Sequence, residues 1–267
     1  MNKLIPILFV SATLLSGCGS NPYKEFYEAS LTPIPLVSDN LTKQKEYPVE
    51  IVRSGSDPES LSRLRKNYNR EGYGEIGYSS FQASEVSDEQ LIAQAREVKA
   101  TVALLGVKYL RTNSGSMPLT LPNTQTSYHS GSLTGYGGYG SYSGTSTTYG
   151  TTTTYIPYSV NRYEYAAVYL GKLKPLKFGV LWAKELPIHL KQKLGSNKGV
   201  LIEVVIKNGA AYDADILEGD VLIAADNVQI KDGNHLMELL NLRSKGDVIE
   251  FDIFRKETRI KKKVTLM

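Results

Sequence analysis

The chain has 267 residues, of which 41% are hydrophobic and 22% are charged, a composition typical of a globular protein with one large or two small domains. Its formal net charge of +4 is too small to indicate a nucleic-acid partner. The chain contains a single Cys, at position 18, so no disulfide can form within it.

The first residues are typical of a targeting segment and are therefore excluded from the fold prediction. Lys3 precedes an apolar stretch, residues 4–15, that is too short to span a bilayer as a mature helix. The stretch leads into Ser16-Gly17-Cys18, which resembles the bacterial lipobox. The resemblance implies that residues 1–17 are a lipoprotein signal peptide and that Cys18 is lipidated. A plain signal peptide with an incidental Cys is the alternative.

Lipidation would place the protein in the cell envelope. Several acyl chains on one Cys anchor a protein firmly, whereas one chain binds a membrane only marginally. Gly19 stands where the inner-membrane retention signal has Asp, so the resemblance implies an outer-membrane lipoprotein that faces the periplasm. Residues 18–46 contain several prolines and little periodicity, and we expect them to be a tether.

Residues 47–172 predict an α/β domain with the order β-α-β-α-β and a further strand. Residues 47–52 alternate like a strand, and Asp57-Pro58 then starts a helix. After a strand at residues 74–81, Ser87 and Gln90 have the spacing of a capping box at the start of the next helix. Residues 101–107 are nearly all apolar, which is typical of a strand buried on both faces. A fourth strand, residues 163–170, is expected to pair with the third.

A low-complexity insertion, residues 114–159, interrupts this domain. It is rich in Gly, Ser, Thr and Tyr, has almost no charge and shows no apolar periodicity. Its Gly content makes ordering costly in conformational entropy, which favours a mobile loop. Its Thr runs have good strand propensity, so part of it could instead form a long hairpin. Exposed Tyr among Gly and Ser also resembles adaptable binding loops.

The C-terminal part, residues 175–267, has a distinctive order of elements around residues 208–220. An apolar strand precedes Asn208-Gly209, a short Ala-rich helical turn follows, and Gly219-Asp220 returns the chain to another apolar strand. This order resembles the PDZ domain of high-temperature-requirement type proteases, here without the protease domain. The resemblance implies a partly open β-barrel with two helices. Asp226-Asn227-Val228 departs from the usual Asn-Gly turn, which leaves the geometry of that turn open.

The same resemblance suggests a peptide-binding groove. Phe178, Gly179, Val180 and Leu181 match the apolar-Gly-apolar loop whose amides bind a terminal carboxylate, followed by a strand edge that accepts the peptide. Residues 234–243 match the helix that forms the other wall, and we expect this helix to contribute His235, Leu236 and Leu239. An exposed His near a helix N-terminus with no ligand is the alternative for His235.

Signals for catalysis are weak. Ser114 lies in a sequence that loosely resembles the nucleophile loop of trypsin-like proteases, but in that fold the catalytic His precedes the Ser. The first His of this chain is His129, after Ser114, so no base is placed to activate the hydroxyl. Residues 72–77 match G-x-G-x-x-G, but they follow a helix and enter a strand, the reverse of a dinucleotide site. Three scattered His residues and one Cys indicate neither a metal site nor a cofactor.

The sequence therefore predicts a non-catalytic, lipid-anchored envelope protein whose PDZ domain binds peptides or protein C-termini. The alternative is a structural lipoprotein whose PDZ groove is occupied by its own α/β domain or by another subunit. An enzyme with catalytic groups in the N-terminal domain is a third and weaker hypothesis. No nucleic-acid partner is expected.

Overall fold

The computed structural model describes residues 20–30, 41–42, 48–55 and 57–267, so the predicted signal peptide and Cys18 lie outside the described residues. The described residues form two compact units: residues 82–85 with 109–163 form one, and the remaining described residues form the other. None of the helices in the described ranges has the length and hydropathy needed to cross a bilayer.

Secondary structure over residues 50–172 follows the predicted order of strands and helices, and an additional short helix and strand precede it. The elements are α1 (Pro22–Glu25), β1 (Tyr27–Ala29), β2 (Glu50–Arg53), α2 (Pro58–Arg70), β3 (Tyr73–Ala83), α3 (Asp88–Glu97), β4 (Val102–Gly135) and β5 (Gly138–Lys172). The strands lie in the order β1-β3-β5-β4-β2, with β2 parallel to β4. The predicted α/β order is confirmed, and the predicted fourth strand pairs with the third as expected.

Helix α2 shows how the sequence sets this part of the fold. Its N-cap is Asp57, whose carboxylate accepts a hydrogen bond from the Ser60 N–H at 2.7 Å, which satisfies one of the free donors of the first turn. Leu61 and Leu64, one turn apart, pack against the buried core of β4 and β5. The capping residue at the start of α2 and the apolar stripe along it therefore both correspond to the sequence-based prediction of this helix.

Two predictions for the N-terminal half are wrong. The expected tether is folded over residues 22–29: Tyr23 is only 1% exposed, and its ring packs edge-on against Phe81 with centroids 5.0 Å apart. Ser79 donates a hydrogen bond to the Tyr23 carbonyl at 2.6 Å. The capping box at α3 does not form either, because the Ser87 side chain makes no cap hydrogen bond.

Residues 175–267 form a second sheet with short helices. The elements are β6 (Val180–Glu185), α4 (Ile188–Leu194), β7 (Val200–Val205), α5 (Ala210–Asp213), β8 (Val221–Ala225), β9 (Val228–Gln229), α6 (Gly233–Asn241), β10 (Val248–Arg255) and β11 (Thr258–Thr265). The strands lie in the order β11-β10-β8-β7-β6, and β9 pairs with β8. Strand β6 is therefore at one edge, and its position there leaves room for a further strand.

The turn between β8 and β9 falls on residues that tolerate left-handed backbone. Asp226 and Asn227, with φ of 47° and 65°, form the whole turn between β8 and β9. Val228 is the first residue of β9 and needs no positive φ. The departure from Asn-Gly therefore leaves a tight hairpin turn in place.

The stretch 208–220 is a packing element. Ala210 and Ala211 are buried on α5 and belong to the hydrophobic core of this sheet. Asp220 is 1% exposed and receives hydrogen bonds from Arg255 at 2.7 and 2.8 Å and from the Leu217 N–H at 2.8 Å. This pair ties the turn before β8 to the end of β10.

The insertion is a long β-hairpin. Strands β4 and β5 continue to a turn at Tyr136-Gly137, so of the two possibilities left by the sequence the structure has the hairpin. The Ser114 hydroxyl lies 3.4 Å from that of Ser159 on the opposite strand. Ser114 is thus one of a series of cross-strand polar contacts.

Candidate binding groove

An apolar groove of about 350 Å³ lies between β6 and α6. Residues 175–181 and Ala183 line one side. Helix α6 lines the other through Gly233, Asn234, Leu236, Met237, Leu240 and Asn241. Lys177 is the only charged residue among those that line it.

The loop that enters β6 is held by its carbonyls. The Phe178 carbonyl accepts from the Ala211 N–H at 2.8 Å, and the Gly179 carbonyl accepts from the Ile206 N–H at 2.9 Å. No hydrogen bond joins the Gly179 N–H to another described residue. The loop therefore has its acceptors fixed by the fold, and it keeps a main-chain donor beside the groove.

Gly179 is required by both conformation and space. Its φ is +79°, which L-residues rarely adopt, and a Cβ there would lie 3.1 Å from the Gly209 Cα. The neighbouring Phe178 is buried, and its ring centroid lies 4.9 Å from that of Phe251. The ring anchors the loop in the core while Gly179 allows the close approach to Gly209.

Strand β6 has an edge available to a peptide. It pairs with β7 on one side, with Val180 opposite Val205, and no other described strand pairs with it. Because an edge strand presents main-chain donors and acceptors, an extended peptide can add to it as the next strand. Helix α6 would then cover the side chains of that peptide.

Helix α6 begins at Asp232, whose carboxylate accepts from the His235 N–H at 2.9 Å. The Nδ1 atom of His235 accepts from the Lys231 N–H at 3.2 Å. Both contacts lie within the cap of α6, and His235 is not among the residues that line the groove.

Five of the seven predicted groove residues line the groove, and two do not. Those that do are Phe178, Gly179, Val180, Leu181 and Leu236. Leu239 instead packs partly buried against the core of the sheet. The prediction did not include Met237 and Leu240 among the groove residues. Both follow Gly233 at helical spacing, so they share its face of α6 and line the groove.

The α/β part contacts the C-terminal part through Glu218, which does not line the groove. Glu218 receives hydrogen bonds from Arg70 at 2.8 and 2.6 Å, and Lys66 lies 2.9 Å from the same carboxylate. Burial raises the pKa of Glu218, but its hydrogen bonds with Arg70 and Lys66 outweigh burial, and the pKa is lowered overall. No residue in the described ranges fills the groove itself.

A comparison with protein families identifies this part of the chain. Residues 185–266 match the family model for the PDZ domain. These residues form a PDZ domain. The prediction of a PDZ domain from the sequence is confirmed. The match begins at Glu185, the last residue of β6, so the earlier residues of β6 and the loop that carries Gly179 precede the matched segment.

Solved structures of low identity are also similar to the chain. The HtrA-type protease AlgW with a decapeptide is 17% identical, with a TM-score of 0.30, over 37% of this chain and 36% of that one. A variant of AlgW with decapeptide has a TM-score of 0.32 and the same identity and coverage. The HtrA3 PDZ domain bound to a phage-derived ligand (FGRWV) is 14% identical, with a TM-score of 0.30, over 34% of this chain and 83% of that one.

The chain thus spans about a third of the length of the AlgW protease chains that it matches. No curated protein sequence is significantly similar to it.

Proposed function

We propose that this protein is a non-catalytic envelope protein, lipid-anchored at Cys18, whose PDZ domain binds peptides or protein C-termini. The observation that carries the proposal is the apolar groove between the open edge of β6 and helix α6, with the Gly179 N–H at one end. An extended peptide gains main-chain hydrogen bonds from the strand edge and apolar contacts from the helix.

The charge of the groove suits a terminal carboxylate. Lys177 is the one charged residue on its lining, and it lies next to the loop that carries Gly179. Backbone N–H groups and one cation near a Gly-containing turn are typical of anion-binding concavities. The apolar remainder, which includes Leu236, Met237 and Leu240, favours a ligand that ends in an apolar residue.

Peptide binding to the full chain tests this proposal. A C-terminal peptide library is screened first, and the affinity of a selected peptide is then compared with that of the same peptide amidated at its C-terminus. Because amidation removes the carboxylate charge, we expect a loss of about tenfold or more, which corresponds to about 1.4 kcal/mol.

Two neighbouring residues of α6 provide a matched pair of variants. Both side chains are partly buried and pack against the core of the sheet, but of the two only Met237 lines the groove. Met237→Ser is expected to weaken peptide binding about fivefold or more through lost apolar contact, whereas Leu239→Ser lowers stability but leaves the affinity within about twofold. No selective peptide, equal binding of the amidated peptide, or equal losses for the two variants would contradict the proposal.

A further inference from the structure

The segment that follows the predicted lipid site is fixed to the α/β part by specific contacts. Asn21 is the N-cap of α1: its Oδ1 accepts from the Tyr23 N–H at 3.0 Å, and its Nδ2 donates to the Gln90 carbonyl at 2.7 Å. Lys24 pairs with Glu97 at 2.8 Å. Because Gln90 and Glu97 both belong to α3, helix α1 is attached to α3 at two points.

The residues after this cap are held by burial and by strand pairing. Tyr23 is 1% exposed, and its ring centroid lies 5.0 Å from that of Phe81 and 6.3 Å from that of Tyr165. Strand β1 then pairs with β3, with Tyr27 opposite Ser79. Release of this segment would expose a buried ring and break main-chain hydrogen bonds, so the segment is a fixed part of the fold.

The chain between Cys18 and this fixed segment is short, since Asn21 is the third residue after Cys18. Three residues reach about 11 Å at full extension, whereas a flexible tether of residues 18–46 would reach about 30 Å on average. The acyl chains that the proposed function places on Cys18 lie in the bilayer. A chain anchored in this way keeps α1 within about 11 Å of the membrane surface.

Two exposed aromatic side chains lie beside the attachment point. Phe26, the C-cap of α1, is 49% exposed although its ring stacks on that of Phe81. Tyr78 on β3 is 39% exposed, and it lines the same small cleft as Phe26. Aromatic side chains are favoured at the boundary between lipid headgroups and hydrocarbon. The surface formed by α1, β1 and Tyr78 therefore fits a lipid surface.

The peptide-binding groove is associated with the other end of strand β3. Phe81, which contacts α1, lies near the last residue of β3, whereas Tyr73 is its first residue. Gly72, just before Tyr73, lines a cavity together with Gly179 of the groove. The strand from Tyr73 to Phe81 extends about 26 Å at about 3.3 Å per residue, so α1 and the loop that carries Gly179 lie far apart along the sheet.

We infer, on the basis of the proposed lipid anchor at Cys18, that the surface of α1, β1 and Tyr78 lies against the lipid bilayer. The groove is then held away from the bilayer, about 26 Å further along β3. The distance between groove and bilayer is set by the fold rather than by a flexible linker. A partner bound in the groove is therefore presented at that distance from the membrane.

Fluorescence quenching on vesicles tests this orientation. The lipidated full chain is purified from cell membranes and placed in vesicles of neutral phosphatidylcholine that include a lipid with a nitroxide quencher on its headgroup. Neutral lipid is used because Lys24, Glu25 and Glu28, near the proposed contact, carry a net negative charge. Cys18 is the only Cys of the chain and has no free thiol once it is lipidated, so an introduced Cys alone takes up the fluorophore.

Two exposed positions provide the comparison. Glu25→Cys places the fluorophore on α1, and Lys207→Cys places it next to Ile206, which binds the loop that carries Gly179. We expect the label at position 25 to be quenched at least about threefold more strongly than the label at position 207, because only the first lies within the reach of the headgroups.

A longer connection to the lipid is the matched control. A flexible insertion of about twenty Gly and Ser residues between Gly19 and Ser20 leaves the contacts of α1 intact but lengthens the link to Cys18. In the Glu25→Cys chain, this insertion should reduce quenching about twofold or more, since the two aromatic side chains alone bind lipid weakly. Circular dichroism shows whether each variant is folded.

Flotation with the vesicles and binding of the selected peptide report separately on the proposed function. A chain that floats with the vesicles and binds the peptide, but is quenched equally at positions 25 and 207, would overturn the inference and leave the proposed function standing. Quenching at position 25 that the insertion does not change would also overturn it. A chain that does not float with the vesicles would instead exclude the lipid anchor, and the membrane-facing surface with it.

Discussion

Replacement of Asp220 by Ala should destabilise the PDZ domain strongly without touching the groove. The Asp220 carboxylate is 1% exposed and binds Arg255 through both Nε and Nη2, at 2.7 and 2.8 Å. It also accepts from the Leu217 N–H. The substitution leaves this donor and the guanidinium without their shared buried acceptor.

The size of the effect follows from these contacts. Breaking a buried ion pair by removing one partner costs about 3–5 kcal/mol, and the unsatisfied N–H is part of that cost. Arg255 is 21% exposed and keeps its hydrogen bond to the Asp215 carbonyl at 2.6 Å, which favours the lower end. We therefore expect the free energy of unfolding to fall by about 3 kcal/mol.

Urea denaturation followed by circular dichroism measures this change. With a slope of about 1.5 kcal/mol per molar urea, the midpoint of the PDZ transition should fall by about 2 M. Asp215→Asn is the matched control, because Asp215 pairs with the same Arg255 but is exposed, and Asn tolerates its φ of 57°. Equal midpoints for the two variants would refute the argument that burial of the pair sets its contribution.

Two further outcomes are expected. Burial raises the pKa of Tyr169 to about 12, against 10.0 in the unfolded chain. The unfolded state therefore loses the Tyr169 proton at lower pH than the folded state does. As pH rises from about 10 to 12, the free energy of unfolding falls by about 1.4 kcal/mol per pH unit. Tyr169→Phe should show a smaller loss of urea resistance between pH 9 and 11, and an unchanged slope would contradict the assignment. Cys18→Ser should abolish incorporation of labelled fatty acid and release the protein from the membrane fraction; continued labelling of that variant would exclude Cys18 as the lipid site.

The elements with strong local signals could be predicted from the sequence. Asp57-Pro58 marks the start of α2 because capping depends on residues within one turn, and the apolar run at 101–107 marks the buried start of β4. The position of the turn at Asp226-Asn227 was predicted, but its geometry was left open because Val228 stands where the usual turn has Gly.

Elements that depend on distant partners could not be predicted. Tyr23 is buried because Phe81 and Tyr165 surround its ring, and nothing in residues 18–46 indicates those contacts. Most of the hairpin could not be predicted for a different reason, because residues 122–155 consist largely of Thr, Ser, Tyr and Gly and carry no apolar period. Its register depends on pairs such as Thr120 and Thr153, which are distant in sequence.

In the groove, the residues of the loop before β6 were predicted correctly, whereas the lining residues of α6 were predicted only in part. The prediction of the loop residues Phe178 and Gly179 rests on the resemblance to PDZ domains, whose apolar-Gly-apolar pattern these residues match, and Gly179 has the positive φ that favours Gly. On α6 the prediction included Leu239 where the lining residue is Leu240. One position on a helix turns the side chain by about 100°, so a correct helix without a known rotation is not enough to assign its contacts.

The end of β7 links the groove to the α/β part of the chain. Ile206 donates its N–H to the Gly179 carbonyl, and the next residue, Lys207, donates its N–H at 2.8 Å to the carbonyl of Arg70 at the end of α2. Arg70 in turn binds Glu218 of the PDZ domain. Two adjacent peptide units thus hold the loop that carries Gly179 and the α/β part together, so this loop cannot shift far without straining the contact with α2. This arrangement fixes the direction in which the groove opens relative to the α/β part, which a flexible linker between the two would not do.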